Sequence, residues 1–166
     1  EVALKCPTNI PQVLTFGRFE ALGSTNVVAG TAQIKGTFRT MDEAWRSQVH
    51  AILQAQAKEV AAEFGAKIHL TIAKGYPFLH NDPVLTQNVR GILMQTLGTD
   101  HVHELDLRMT AEDFAFYSQE RPVCFFRLGV GNEQKGITYA VHHPRFDIDE
   151  QALEIGVRCM VQIAMS

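Results

Sequence analysis

A histidine pair followed by proline, Val141-His142-His143-Pro144-Arg145-Phe146, is the segment of this sequence best suited to hold a metal. An imidazole placed directly after a strand and before a proline-held turn has little conformational freedom, and that is how a ligand is fixed at the C-terminal edge of an α/β sheet. The same pair could equally be a solvated turn, because a zinc site needs further His, Cys or carboxylate ligands. Glu112 and Asp113 form a second group, in Met109-Thr110-Ala111-Glu112-Asp113-Phe114. Two carboxylates in the first turn of a helix interact favourably with its positive end. Alternatively they orient a ligand histidine from behind, as metal sites commonly require. The third group lies earlier. Arg39, in Gly36-Thr37-Phe38-Arg39-Thr40, offers a planar fork suited to a carboxylate. Asn26, in Thr25-Asn26-Val27-Val28, can donate to a carbonyl. The plainer alternatives are a surface arginine and a turn asparagine. His50, His69, His80, His101 and His103 show no ligand spacing and are expected at the surface. Gly129-Val130-Gly131 lacks a phosphate-loop pattern and reads as a turn.

The elements that must position these residues follow from apolar periodicity. Val13 to Glu20 reads as a strand, and Thr31 to Thr40 alternates, with Ala32, Ile34, Gly36 and Phe38 on one face and Gln33, Lys35, Thr37 and Arg39 on the other. Asp42 to Phe64 is the strongest helix, with an apolar stripe from Trp45 through Val49, Ile52, Leu53, Ala57, Val60 and Phe64, and Gly65 at its end. Lys67 to Lys74 alternates again and predicts another strand. Strand, strand, helix, strand is most of a ferredoxin-like unit lacking its first strand and helix. Such an open sheet would expose apolar surface unless something covers it. A boundary falls near Leu79, giving segments 1–79 and 80–166. Asp82-Pro83 then opens a helix that runs to Gly98. A short helix is expected from Thr110, with Asp113 as its capping-box partner. Val123 to Leu128 and Ile137 to Val141 are expected β-type segments. A last helix is expected from Asp147, paired with Glu150. The second half therefore reads α/β.

Composition narrows the function classes. The 166 residues are 46% hydrophobic and 20% charged, with a net charge of -3. That balance argues against nucleic acid and membrane surfaces as partners. No apolar run approaches the ~20 residues that span a bilayer, and no signal peptide is evident. Cys6, Cys124 and Cys159 are far apart and lack a CxxC spacing, so they are expected as free thiols in a cytoplasmic protein. The sequence opens on Glu1 rather than Met, which suggests a processed product or a piece of a longer chain.

Taken in order, Val13-Leu14-Thr15-Phe16-Gly17, Asn26-Val27-Val28, Gly36-Thr37-Phe38-Arg39-Thr40, Met109-Thr110-Ala111-Glu112-Asp113-Phe114, Leu128-Gly129 and His142-His143-Pro144 resemble the amidohydrolase branch of the dizinc aminoacylase/carboxypeptidase metallopeptidases. That branch includes hippurate hydrolases and N-acetyl-diaminopimelate deacetylases. The resemblance runs from about Val13 to Ala164. Two positions depart from the family: Ala29 stands where proline is usual, and His143 where a small polar residue is common. The resemblance implies an incomplete ferredoxin-like lid, which also dimerises, over 1–79, followed by the C-terminal segment of an α/β catalytic domain over 80–166. It implies His142 as a metal ligand, Asn26 and Arg39 as substrate contacts, and Glu112 and Asp113 behind the metal site. Two zinc ions are implied, with Mn, Co or Ni as alternatives, and N-acyl amino acids or short peptides as substrates. The general base and the other ligands are expected outside these residues, so the isolated chain is expected to be inactive. The rival reading is a stand-alone small-molecule-binding or dimerisation module without a metal.

Overall fold

The computed structural model describes residues 2–166, apart from the side chains of Ala3 and Leu4. They fall into two compact units. One runs through Leu79 and takes in Leu107–Phe116; the other comprises His80–Asp106 and Tyr117–Ser166.

The first unit begins with a short helix, α1 (Val2–Lys5), followed by strands β1 (Gln12–Glu20) and β2 (Gln33–Thr40) and the long helix α2 (Glu43–Glu63). The strands pair antiparallel, Gln12 opposite Thr40 and Glu20 opposite Gln33, with a bulge between Phe16 and Arg18. Gly36 faces Phe16, and a Cβ on Gly36 would fall 2.5 Å from the Thr15 carbonyl oxygen and 2.7 Å from the Phe16 ring. Only glycine fits there. Helix α2 starts where Asp42, in extended backbone, accepts a hydrogen bond from the Trp45 N–H at 2.6 Å. It stops at Gly65, whose φ of +60° turns the chain so that the Ala66 N–H reaches the Ala61 carbonyl at 2.9 Å. Trp45 and Val49 are buried with Val2, and Phe38, Ile52 and Leu53 pack around them. Burying one such valine stabilises the fold by roughly 1.5–3 kcal/mol. Phe16, Phe19, Ile34 and Phe64 remain exposed, so the apolar stripe exceeds what two strands cover.

Lys67–Lys74, expected as a strand, is not one. Alternation makes a strand only where a neighbour supplies the hydrogen-bond ladder. Among the described residues β1 and β2 bond only each other. What ties the following residues down is the N-terminus of α2: buried Arg46 donates to the Tyr76 carbonyl at 2.6 Å and pairs with Glu43, whose carboxylate accepts from the Phe78 N–H.

The second unit is built on α3 (Pro83–Leu97) and α5 (Gln151–Ala164), packed through Val89, Leu93 and Cys159. Asp82 caps α3 by accepting from the Leu85 N–H at 2.8 Å, and Gly98, at φ +96°, ends it. Two short 3₁₀ turns, Thr99–His101 and Glu133–Lys135, lie between these helices in sequence. Val123–Leu128 forms no ladder either. Its backbone is held instead by one side chain: Asn81 accepts from the Phe125 N–H at 2.8 Å and donates to the Phe125 carbonyl at 2.9 Å, beside the bond from the Asp82 N–H to the Val123 carbonyl. Ile137–Val141 makes a single bridge, Ile137 to Asn132.

Two helix starts are corrected. The short helix α4 spans Ala115–Glu120, not Thr110 onward; the backbone carbonyls of Glu112 and Asp113 lead into it by accepting from the Ala115 and Phe116 N–H groups. Helix α5 starts at Gln151, and Glu150 makes no side-chain cap. The carboxylate of Asp149 accepts from the Gln151 N–H instead, at 3.2 Å. No helix of the described residues is long and apolar enough to cross a membrane.

Candidate functional site

His142 and His143 are neighbours with different fates. The His143 N–H bonds the Ala140 carbonyl at 3.1 Å, closing a four-residue turn with His142 in its third position at φ +73°. That is the φ of a type II turn, where glycine or asparagine is the usual occupant. His142 is the one non-glycine residue with positive φ among the described residues. A second turn follows at once, the Phe146 N–H reaching the His143 carbonyl at 2.9 Å, with Pro144 preset for its second position. The imidazole of His143 is consumed in this turn. Its Nδ1 accepts from the Arg145 N–H at 3.0 Å, and its ring stacks on Tyr139 with centroids 4.2 Å apart. Arg145 in turn reaches the Tyr139 hydroxyl at 3.1 Å. The imidazole of His142 is exposed and has no hydrogen bond among the described residues.

Left-handed backbone at a non-glycine residue is costly, and such strain concentrates where a side chain must be displayed. His142 thus fits the part of one metal ligand. A full site is another matter: among the described residues no three His, Cys, Asp or Glu side chains are grouped as a metal would need.

Glu112 is half-buried and Asp113 exposed. Neither carboxylate has a hydrogen bond or ion pair among the described residues, and neither caps α4; their backbone carbonyls do the work of that turn.

Arg39 lies on the exposed face of β2 opposite Val13, and its guanidinium donates to the Met109 carbonyl at 2.6 Å. Its other N–H groups have no hydrogen bond among the described residues. Asn26 sits in the loop between β1 and β2, where a bridge from Ser24 to Val27 forms a tight tip. Its side-chain oxygen accepts from the Ser24 hydroxyl at 3.1 Å, which leaves its amide N–H groups to donate. Among the described residues no hydrogen bond joins the two: Asn26 bonds Ser24 and Arg39 bonds Met109. Asn26 precedes the first residue of β2 and Arg39 is next to the last. Six residues of strand separate Gln33, the first residue of β2, from Arg39, roughly 20 Å at ~3.3 Å per residue.

His69, His80, His101 and His103 are exposed, but His50 is half-buried on α2. Its pKa is lowered below 6.5, first by burial and then by the charges of Arg46 and Lys74.

One polar cluster escaped the sequence reading. Asp149 is only 7% exposed in an otherwise exposed stretch. Its carboxylate accepts from Asn132 Nδ2 at 2.6 Å and from Lys135 Nζ at 2.7 Å, besides the Gln151 N–H. The hydrogen bonds from Lys135, then Asn132, then the Gln151 backbone lower its pKa from 3.8 to about 2. The acidic run Asp147-Ile148-Asp149-Glu150 hid which carboxylate turns inward. The available signal was Asn132 ahead of Lys135-Gly136, the composition of a side-chain-capped turn.

Comparison with known proteins agrees with the resemblance. The model of "Peptidase family M20/M25/M40" matches residues 10–166. The chain is 32% identical over 154 residues to YhaA of Bacillus subtilis (strain 168), which is named as an amidohydrolase; the match covers 93% of this chain and 39% of that protein. It is 31% identical over 146 residues to an N-acetyldiaminopimelate deacetylase of Streptococcus thermophilus, covering 87% and 37%. Among solved structures, the YXEP protein of Bacillus subtilis, described as a dinuclear metal binding peptidase, superposes with a TM-score of 0.72 at 29% identity, over 92% of this chain and 41% of that one. The chain thus spans about two fifths of the length of the relatives it matches.

Proposed function

Because this chain belongs to the M20/M25/M40 peptidase family, we propose that it is the C-terminal portion of a metal-dependent amidohydrolase that cleaves the amide bond of N-acyl amino acids. On this reading the first unit is a partial lid and dimerisation domain, the second belongs to the catalytic domain, and the protein is cytoplasmic. The observation that carries the reading is the contrast between the two histidines. His143 is locked into its own turn, while His142 is held in a strained conformation with its imidazole uncommitted.

His142 would hold one of two divalent ions, zinc in the first instance. When bound, the metal pair supplies an activated water and polarises the amide carbonyl. Arg39 would fork the substrate's free carboxylate with the donors that Met109 leaves open. Asn26, its oxygen tied to Ser24, would donate to the substrate carbonyl. Glu112 and Asp113, whose carboxylates have no bond among the described residues, would orient a ligand. None of the described residues is placed as general base, and the 166 residues alone are read as inactive. The test is metal content of the whole protein. His142→Ala should lose about one zinc per subunit and nearly all hydrolysis of an N-acyl amino acid, whereas His143→Ala removes no ligand: it should still take up that zinc, only more weakly because the turn displaying His142 loosens, and lower stability by about 1 kcal/mol through its lost turn bond. Full zinc occupancy in His142→Ala refutes the assignment.

The exposed apolar side chains of β1 and β2, Phe16, Phe19 and Ile34, favour a homodimer. In such a dimer Asn26 and Arg39 can reach one substrate from different copies, and mixing subunits tests this. Mixed Asn26→Ala and Arg39→Ala subunits should then recover about a quarter of wild-type activity, since half the dimers are mixed and each has one intact site. No recovery on mixing means both contacts come from one chain, or that one of them is not a contact.

A further inference from the structure

Residues 130–149 form a loop closed at its base. The Asp149 N–H bonds the Val130 carbonyl at 2.8 Å, and the Asn132 N–H and carbonyl each bond Ile137 at 2.9 Å. Outside the stack of His143 on Tyr139, little of the loop packs on itself. Val130, Ile137, Tyr139 and Phe146 are among the residues that surround a hollow of about 370 Å³, and most of the loop is exposed. With so little apolar burial, its order has to come from polar bonds at the base and from the Tyr139–His143–Arg145 bracket near His142.

We propose that Asp149 is the positioning residue of this loop: through Asn132 and Lys135 it clasps the base and fixes how His142 is presented to a divalent metal. Three features separate this clasp from an ordinary helix cap. Capping α5 needs only the bond from the Gln151 N–H, yet the carboxylate also takes two bonds from residues 17 and 14 positions earlier. Asn132 works with both ends of its amide, the nitrogen on Asp149 and the oxygen on the Lys135 N–H at 3.2 Å, so carboxylate and 3₁₀ turn are set together. Gly136, at φ +72°, then lets the chain leave that turn toward His142. Asp149 does not contact the metal in this proposal; it acts through the loop.

The inference rests on His142 being a ligand, and the experiment keeps the two apart. In the whole protein, Co²⁺ affinity is measured by chelator competition, and amide exchange is followed over residues 137–146 and over α3 and α5. Asp149→Ala should weaken Co²⁺ binding about 10- to 100-fold, the range for residues that orient a ligand. It should also speed exchange in 137–146 while leaving the Val89–Leu93–Cys159 core protected. Asp149→Asn keeps one acceptor oxygen and should fall between. Lys135→Met removes a half-exposed partner and asks the same question should Asp149→Ala not fold. Folded variants with Co²⁺ affinity within about twofold of wild type, or with unchanged exchange in 137–146, overturn the proposal. If His142→Ala also leaves Co²⁺ affinity unchanged, the ligand assignment itself has failed; the exchange measurement still decides whether the clasp orders the loop.

Discussion

Replacing His142 with glycine should stabilise the metal-free protein while disabling the metal-bound one. The φ of +73° at His142 places an L-residue where its Cβ crowds the following carbonyl, at roughly 1–2 kcal/mol. Glycine removes that cost but gains backbone freedom in the unfolded chain, which takes back roughly 0.5–1 kcal/mol. The exposed imidazole makes no hydrogen bond among the described residues, so little else is lost. The net is a gain of about 0.5–1 kcal/mol, a rise in Tm of roughly 1–4 °C for a domain of this size. His142→Ala keeps the strain and is the control: it should be less stable than His142→Gly by about 1 kcal/mol. Thermal melts must be run on chelator-treated protein, because a bound metal adds its own stabilisation to the wild type. In the presence of zinc the order should reverse, with wild type above both variants. If metal-free His142→Gly is no more stable than His142→Ala, the backbone at 142 is not strained, and its display of a ligand loses its physical basis.

Two further outcomes are expected. Gly36→Ala should cost about 1–3 kcal/mol by overpacking, because its Cβ meets the Thr15 backbone and the Phe16 ring; Gly17→Ala, whose Cβ meets nothing within 4 Å, should not. Equal urea midpoints for the two would count against the β1–β2 register. Asp149 titrates lower in the folded protein, at about 2 against an ordinary 3.8. Its contribution is therefore fully present above pH 3.8 and is lost as pH falls toward 2. Melting temperature should drop across that window in the wild type and drop less in Asp149→Asn; parallel curves would remove Asp149 as the source.

Helices were legible in the sequence because their signals are local. Asp42 and Asp82 each cap the helix they precede, and Gly65 and Gly98 end those helices. Strands were legible only in part. β1 and β2 are consecutive in the chain, joined by the single loop 21–32, so each finds its partner nearby. Lys67–Lys74 carries equally good alternation and Val123–Leu128 an apolar run of β type, but a strand is a property of two segments, and a sequence pattern names only one of them. In the second case the partner proved to be the side chain of Asn81, which no period reveals. The same limit applies to Thr110 and Asp147. Both lie three residues before an acidic partner, but their spacing does not say which peptide N–H groups are free, and the helices begin at Ala115 and Gln151.

The candidate ligand shows why residue type and spacing alone left two histidines equivalent. Both follow the same apolar run and precede the same proline. They differ in backbone hand and in what the ring nitrogens meet. A histidine whose Nδ1 accepts from the N–H two residues on mimics a backbone turn, and it cannot offer that nitrogen to a metal without opening the turn. Its neighbour bears the left-handed conformation that the turn imposes. Strain at His142 and satisfaction at His143 are thus one arrangement: the bonds that fix the second histidine hold the first outward. Weakening the His143–Arg145 turn should therefore disturb His142 without touching it, which makes the two positions coupled rather than interchangeable.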